Sequence, residues 1–144
     1  MKRCPHAPLA PDILNTFALW PDIVQQGAMH VRTVCWDVAK AAETGPLDES
    51  LKWGQPAWRP RKPRIGSTLR LGWRGDAPDH LDLYVDCKTD IAARVTDAFP
   101  DVFDSDKRRR LTLPLDRDLP TDALWHLVHQ TLTYHRSKRG AAPA

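Results

Sequence analysis

The feature that most restricts what this chain can fold into is a change of hydrophobic period part-way along it. Val24, Ala28, Val31, Cys35, Val38 and Ala42 recur at alternating steps of four and three, which puts them on one face of a helix. That helix begins after Trp20, with Pro21 in its first turn, and runs to about Glu43, where Gly45-Pro46 stops it. Met29 and Trp36 lie on a flank of the same face, and a smaller helical turn precedes it at "DILNTFALW". From Leu51 to Leu113 the period becomes two, first in short runs around Trp53 and Trp58, then in "STLRLGW" and "HLDLYVDC". Leu69, Leu71 and Trp73 point one way; Leu81, Leu83, Val85 and Cys87 oppose His80, Asp82, Tyr84 and Asp86. Strands with one apolar face are antiparallel and half solvated, and "GDAPD" supplies the hairpin turn between these two.

A short helix capped by Thr89 or Asp90 carries Ile91, Val95, Ala98 and Phe99 and is closed by Pro100. A strand over residues 108–113 follows, and a last helix from Thr121 or Asp122 turns Leu124, Leu127, Val128, Thr131 and His135 inward. This order predicts an α+β two-layer sandwich, with an antiparallel sheet of about five strands and helices packed on one face.

At 144 residues the chain is the size of one domain. Residues 1–10, rich in proline, and 139–144, without apolar periodicity, read as tails around a single domain over 11–138. Apolar runs fall short of the roughly 20 residues that a bilayer span needs, and the N-terminus lacks an apolar signal segment. Three cysteines, Cys4, Cys35 and Cys87, form no close pair and read as reduced thiols, so the expected location is the cytoplasm.

The formal charge of +3 leans toward anionic ligands. In "KRRRL" strand alternation places Arg108 and Arg110 on one face and Arg109 on the other; with no aromatic-basic signature beside them, nucleic acid is not an expected partner. His126 and His129 have a helical spacing of three but lack a third ligand at a recognised spacing, and read as solvated histidines. "PDVFDSD" offers Asp101, Asp104 and Asp106 without the glycine and terminal glutamate of a calcium loop. No metal or cofactor is expected. Cys87 with His135, and Ser67 with His80, are the pairings that nucleophilic chemistry would use; without flanking motifs they read as packing residues, and an enzyme is not expected.

Arg70, His80, Asp82, Tyr84, Asp86, Arg108, Arg110 and Thr112 tile the outward face of the sheet. A solvated face accounts for them; a ligand surface is the second account, since Tyr84 stands among arginines.

The stretch "LKWGQPAW" resembles the (W/Y)-G-x-P-(A/S)-(W/Y) segment of the YdhG-like family, domain of unknown function family 1801. "GSTLRLGW", "YVDCKT", "LPLDRDLP" and "LTYHRSK" resemble further segments of that family in the same order, over about residues 20–138. The resemblance implies an α+β sandwich of the frataxin-like type, and one branch of the family is linked to intracellular iron delivery. Iron carriage would use an acidic ridge on the first helix and strand, where this helix has Asp22, Asp37 and Glu43 on scattered faces. Trp53 and Trp58 are read as strand residues flanking Gly54-Gln55-Pro56, one ring inward and one near the sheet edge; alternatively one indole walls a pocket with Gln55 and Ser67. The candidate binding residues are therefore Trp53, Gln55, Trp58, Ser67, Arg70, Tyr84 and Arg110. The expected role is noncatalytic binding of a small anionic molecule or a protein partner by a monomer or homodimer, with a frataxin-like iron chaperone as the alternative.

Overall fold

A computed structural model describes residues 8–141, and side chains through residue 138. Its elements are α1 (Pro11–Ala18), α2 (Asp22–Ala41), β1 (Leu47–Lys52), β2 (Gln55–Pro60), β3 (Leu69–Gly72), β4 (His80–Tyr84), α3 (Ile91–Ala98), β5 (Asp104–Ser105), β6 (Arg110–Pro114), α4 (Thr121–Leu132) and α5 (Tyr134–Ala141). The strands form one open antiparallel sheet in the order β1-β2-β3-β4-β6-β5, with helices packed on it. The α+β architecture is the expected one. The sixth strand is the two-residue β5, too short for an alternation to show.

The two hydrophobic periods meet in the core. Leu69, Leu71, Leu81, Leu83, Leu111 and Leu113 line the inner face of the sheet, and Val24, Ala28, Val31, Cys35 and Val38 of α2 are buried with them. Leu124, Leu127, Val128 and Thr131 of α4 are buried as the stripe predicts. His135 is not. The helix is interrupted at Thr133, whose hydroxyl donates to the His129 carbonyl (2.6 Å), and the change of phase turns Tyr134 inward and leaves His135 exposed.

A charged side chain lies inside the helix–sheet interface. Arg32, 2% exposed, donates from Nε (2.7 Å) and Nη2 (3.1 Å) to the two carboxylate oxygens of Glu49 on β1. Trp58 of β2, fully buried, donates its indole N–H to the same Glu49 Oε2 at 2.6 Å. One carboxylate thus joins α2 to the edge strand β1 and to its neighbour β2. Leu9, within the stretch read as a tail, packs against the core, and α5 carries helix as far as Ala141; residues 1–7 and 142–144 lie outside the described residues. Among the described residues no helix is long and apolar enough to cross a membrane.

Removing Glu49 leaves the Arg32 charge buried without this carboxylate. Glu49→Ala is therefore expected to lower unfolding free energy by about 3–5 kcal/mol in chemical denaturation. A loss below about 1 kcal/mol, the size of an exposed ion pair, would contradict the buried linkage.

Candidate functional site

Cross-strand register decides which side chains can meet on the outward face. Ala57 pairs with Arg70, Arg70 with Tyr84, and Tyr84 with Arg110, so one row crosses four strands. The Arg70 guanidinium carbon lies 6.0 Å from the Tyr84 ring centroid, and Arg110 flanks the tyrosine from the other side. The Arg110 Nε is buried and makes no hydrogen bond. Burial first, then the nearby Asp82 carboxylate, pushes the Tyr84 phenol up, keeping it protonated.

The adjacent row is Gly72, Asp82 and Thr112. A Cβ on Gly72 would lie 3.0 Å from both Gln55 Nε2 and Tyr84 Cε2, tighter than ordinary contact, so these side chains would have to give to admit one. Asp82 and Thr112 do not face water as the alternation suggests, being 2% and 3% exposed. Asp82 accepts from Arg74 Nε (2.6 Å), Thr112 Oγ1 (2.7 Å) and the Tyr84 hydroxyl (3.2 Å). The Arg74 side chain covers this cluster, so Asp82 is neutralised locally and is a structural group.

Beyond the row, the sheet surface falls into a groove of about 300 Å³ at the end of β3 and β4. Lys52, Arg70 and Arg109 bring positive charge to it, against one carboxylate, Asp86; Ser67, Thr68 and the exposed Cys87 complete the polar lining. Among the described residues these three cations make no ion pair, whereas Arg32, Arg61 and Arg74 each do. Ser67 is positioned by α4: its backbone N–H donates to the Thr131 carbonyl (2.8 Å), and a Cβ on the preceding Gly66 would strike the Leu132 carbonyl. Arg109 is positioned by a turn. Asp106 Oδ1 accepts the backbone N–H groups of Arg108, Arg109 and Arg110 at 2.9, 2.9 and 3.0 Å, and the Arg109 carbonyl accepts from Val85 N–H at 2.8 Å. A second cavity of about 270 Å³, lined by Cys87, Asp106, Arg108 and Arg109, adjoins the first.

Of the residues predicted from sequence, Ser67 and Arg70 line the groove, Tyr84 and Arg110 share the Arg70 row, and Gln55 lies over Gly72 in the adjacent row. Trp58 is a core residue. Trp53 is no strand residue: it occupies the two-residue turn between Lys52 and Gln55, with φ of 56° and 89% exposure. Lys52, Thr68, Cys87 and Arg109 were not foreseen as lining. Cys87 was expected inward, but β4 ends at Tyr84 and the Asp86 carbonyl and carboxylate close a turn with Thr89 and Lys88, so the alternation stops. Arg109 precedes β6 and therefore escapes the strand alternation that seemed to turn it away.

The pairings considered for catalysis are not assembled. Ser67 and His80 stand at opposite ends of the β3–β4 pair, and His80 Nδ1 is 2.7 Å from Asp79. Cys87 is in the groove, while His135 stacks edge-on against Tyr134 on α5. His126, partly buried against Phe99, is held below the usual imidazole range by burial first, then by His129 and Arg94. Among the described residues no three His, Cys, Asp or Glu side chains are grouped to hold a metal ion.

Two outcomes are expected from this geometry. A left-handed conformation is unfavourable for a side chain such as tryptophan, so Trp53→Asn should raise stability by about 1 kcal/mol in denaturant unfolding. Destabilisation instead would show that the indole packs on the protein. At Asp106, partial desolvation acts upward but is outweighed by the three backbone N–H groups and the Arg110 charge, which bring its carboxyl to about 2. This lies below the ordinary value of about 3.9, so its stabilising contribution is complete above about pH 5 and is lost as pH falls toward 2. The stability gap between wild type and Asp106→Asn should therefore narrow on acidification over that interval; a constant gap would contradict the assignment.

Comparison of the chain with family models, curated proteins and solved structures gave no match. What the groove can hold follows from its own side chains.

Proposed function

We propose that this chain is a noncatalytic binding domain for a small anion, held in the groove at the end of β3 and β4. The observation that carries this reading is the convergence of Lys52, Arg70 and Arg109, none of them ion-paired among the described residues, on one cavity also lined by Ser67 and Thr68 and by a single carboxylate, Asp86. Arginine offers a planar donor fork to carboxylate or phosphate oxygens, lysine a point charge, and the hydroxyls further donors. Tyr84 supports Arg70 from beside the groove with its ring face. Membership of the YdhG-like family and a cytoplasmic location are parts of the same proposal, supported by the ordered motifs, the α+β architecture and the free thiols of Cys35 and Cys87.

A thermal-shift screen of inorganic phosphate, simple carboxylates and nucleotides tests it. An anion at about one hundred times its Kd stabilises by about 2.7 kcal/mol, which for a chain of this size corresponds to a rise of roughly 5–10 °C. Arg70→Ala should fold normally and lose most of that rise. The proposal is overturned if no anion stabilises the wild type, or if the variant is stabilised equally.

A further inference from the structure

The two cavities beside β6 are not independent. Cys87 and Arg109 line both, so Arg109 stands between a compartment that holds Lys52 and Arg70 and one that holds Arg108. Building on the proposed anion site, we infer that its ligand is a bis-anion: one small molecule with two phosphate-type groups, one in each cavity, and Arg109 between them.

Three observations carry this. Each compartment has a cation of its own in addition to the shared one. The shared arginine is held at its backbone on both sides, by Asp106 at its N–H and by Val85 at its carbonyl, so the root of its side chain is fixed between the two cavities. The carboxylate in the second cavity, Asp106, is already engaged by three backbone N–H groups and is the anchor of the turn that presents Arg108 and Arg109. Two separate anions would repel one another across Arg109 and would each lose translational freedom. Two groups on one molecule lose that freedom once, and the second binds at high effective concentration.

Calorimetry on the full chain, with orthophosphate, pyrophosphate and tripolyphosphate as probes, is the test. The tighter of the two condensed phosphates should bind about tenfold or more tightly than orthophosphate. Arg108→Ala should remove that advantage while leaving orthophosphate affinity within about twofold, and Arg108→Lys should retain part of it. Arg70→Ala should weaken both classes of probe. Arg117→Ala, at an exposed arginine on the loop after β6, controls for general charge. If orthophosphate binds and neither condensed phosphate binds more tightly, the bis-anion inference falls while the anion site stands. The same holds if Arg117→Ala lowers condensed-phosphate affinity as much as Arg108→Ala. If none of the three probes binds, the bis-anion inference falls, and the anion site is then judged by the carboxylate and nucleotide arms of the thermal-shift screen.

Discussion

Glu49 is the point at which the helical layer and the sheet edge are joined. Its carboxylate receives a two-pronged arginine from α2 and an indole N–H from β2, and all three side chains lie within or at the border of the core. Such a pair is held by geometry more than by net energy, because the loss of hydration offsets most of the attraction. Its consequence is positional. With Trp58 anchored inward, the same strand turns Ala57 to the opposite face, where it pairs with Arg70 and is itself covered. Cys35 lies in this interior as well; burial first, and then Glu49, push its thiol far up, so it remains a protonated packing group, in contrast to the exposed Cys87.

The outward face divides into two kinds of electrostatics. At its centre Asp82 is enclosed by Arg74, Thr112 and Tyr84, a satisfied cluster that leaves no net charge to attract a ligand. At the end of β3 and β4 three cations face one carboxylate, Asp86, and make no ion pair among the described residues. The difference matters for what the protein can do. Paired arginines hold a sheet together, whereas arginines that make no ion pair are ready to complete their hydrogen bonds with a bound anion.

Period two was enough to read the inner leucines and the Arg70–Tyr84–Arg110 row, because on regular strands alternation and register are the same information. It failed where strands stop. Cys87 and Arg109 lie one to three residues beyond a strand end, and His135 lies beyond the interruption at Thr133; extrapolating a regular period through a turn or break assigns the wrong side. Trp53 was misread because its size and apolarity suggest a strand, while its position calls for the left-handed turn more often made by asparagine and glycine. Arg32, Glu49 and Asp82 were hidden for another reason: charge patterning assigns such residues to water, and their burial depends on partners distant in sequence.

The central claim, that the groove cations bind an anion, is tested most directly by following backbone amide and arginine Nε resonances during titration with inorganic phosphate. The account predicts saturable shifts confined to Ser67, Thr68, Arg70, Cys87 and Arg109, with the Asp82–Arg74 cluster unmoved. Shifts that grow without saturating, or that gather around another part of the molecule such as His126 and His129 on α4, would contradict it.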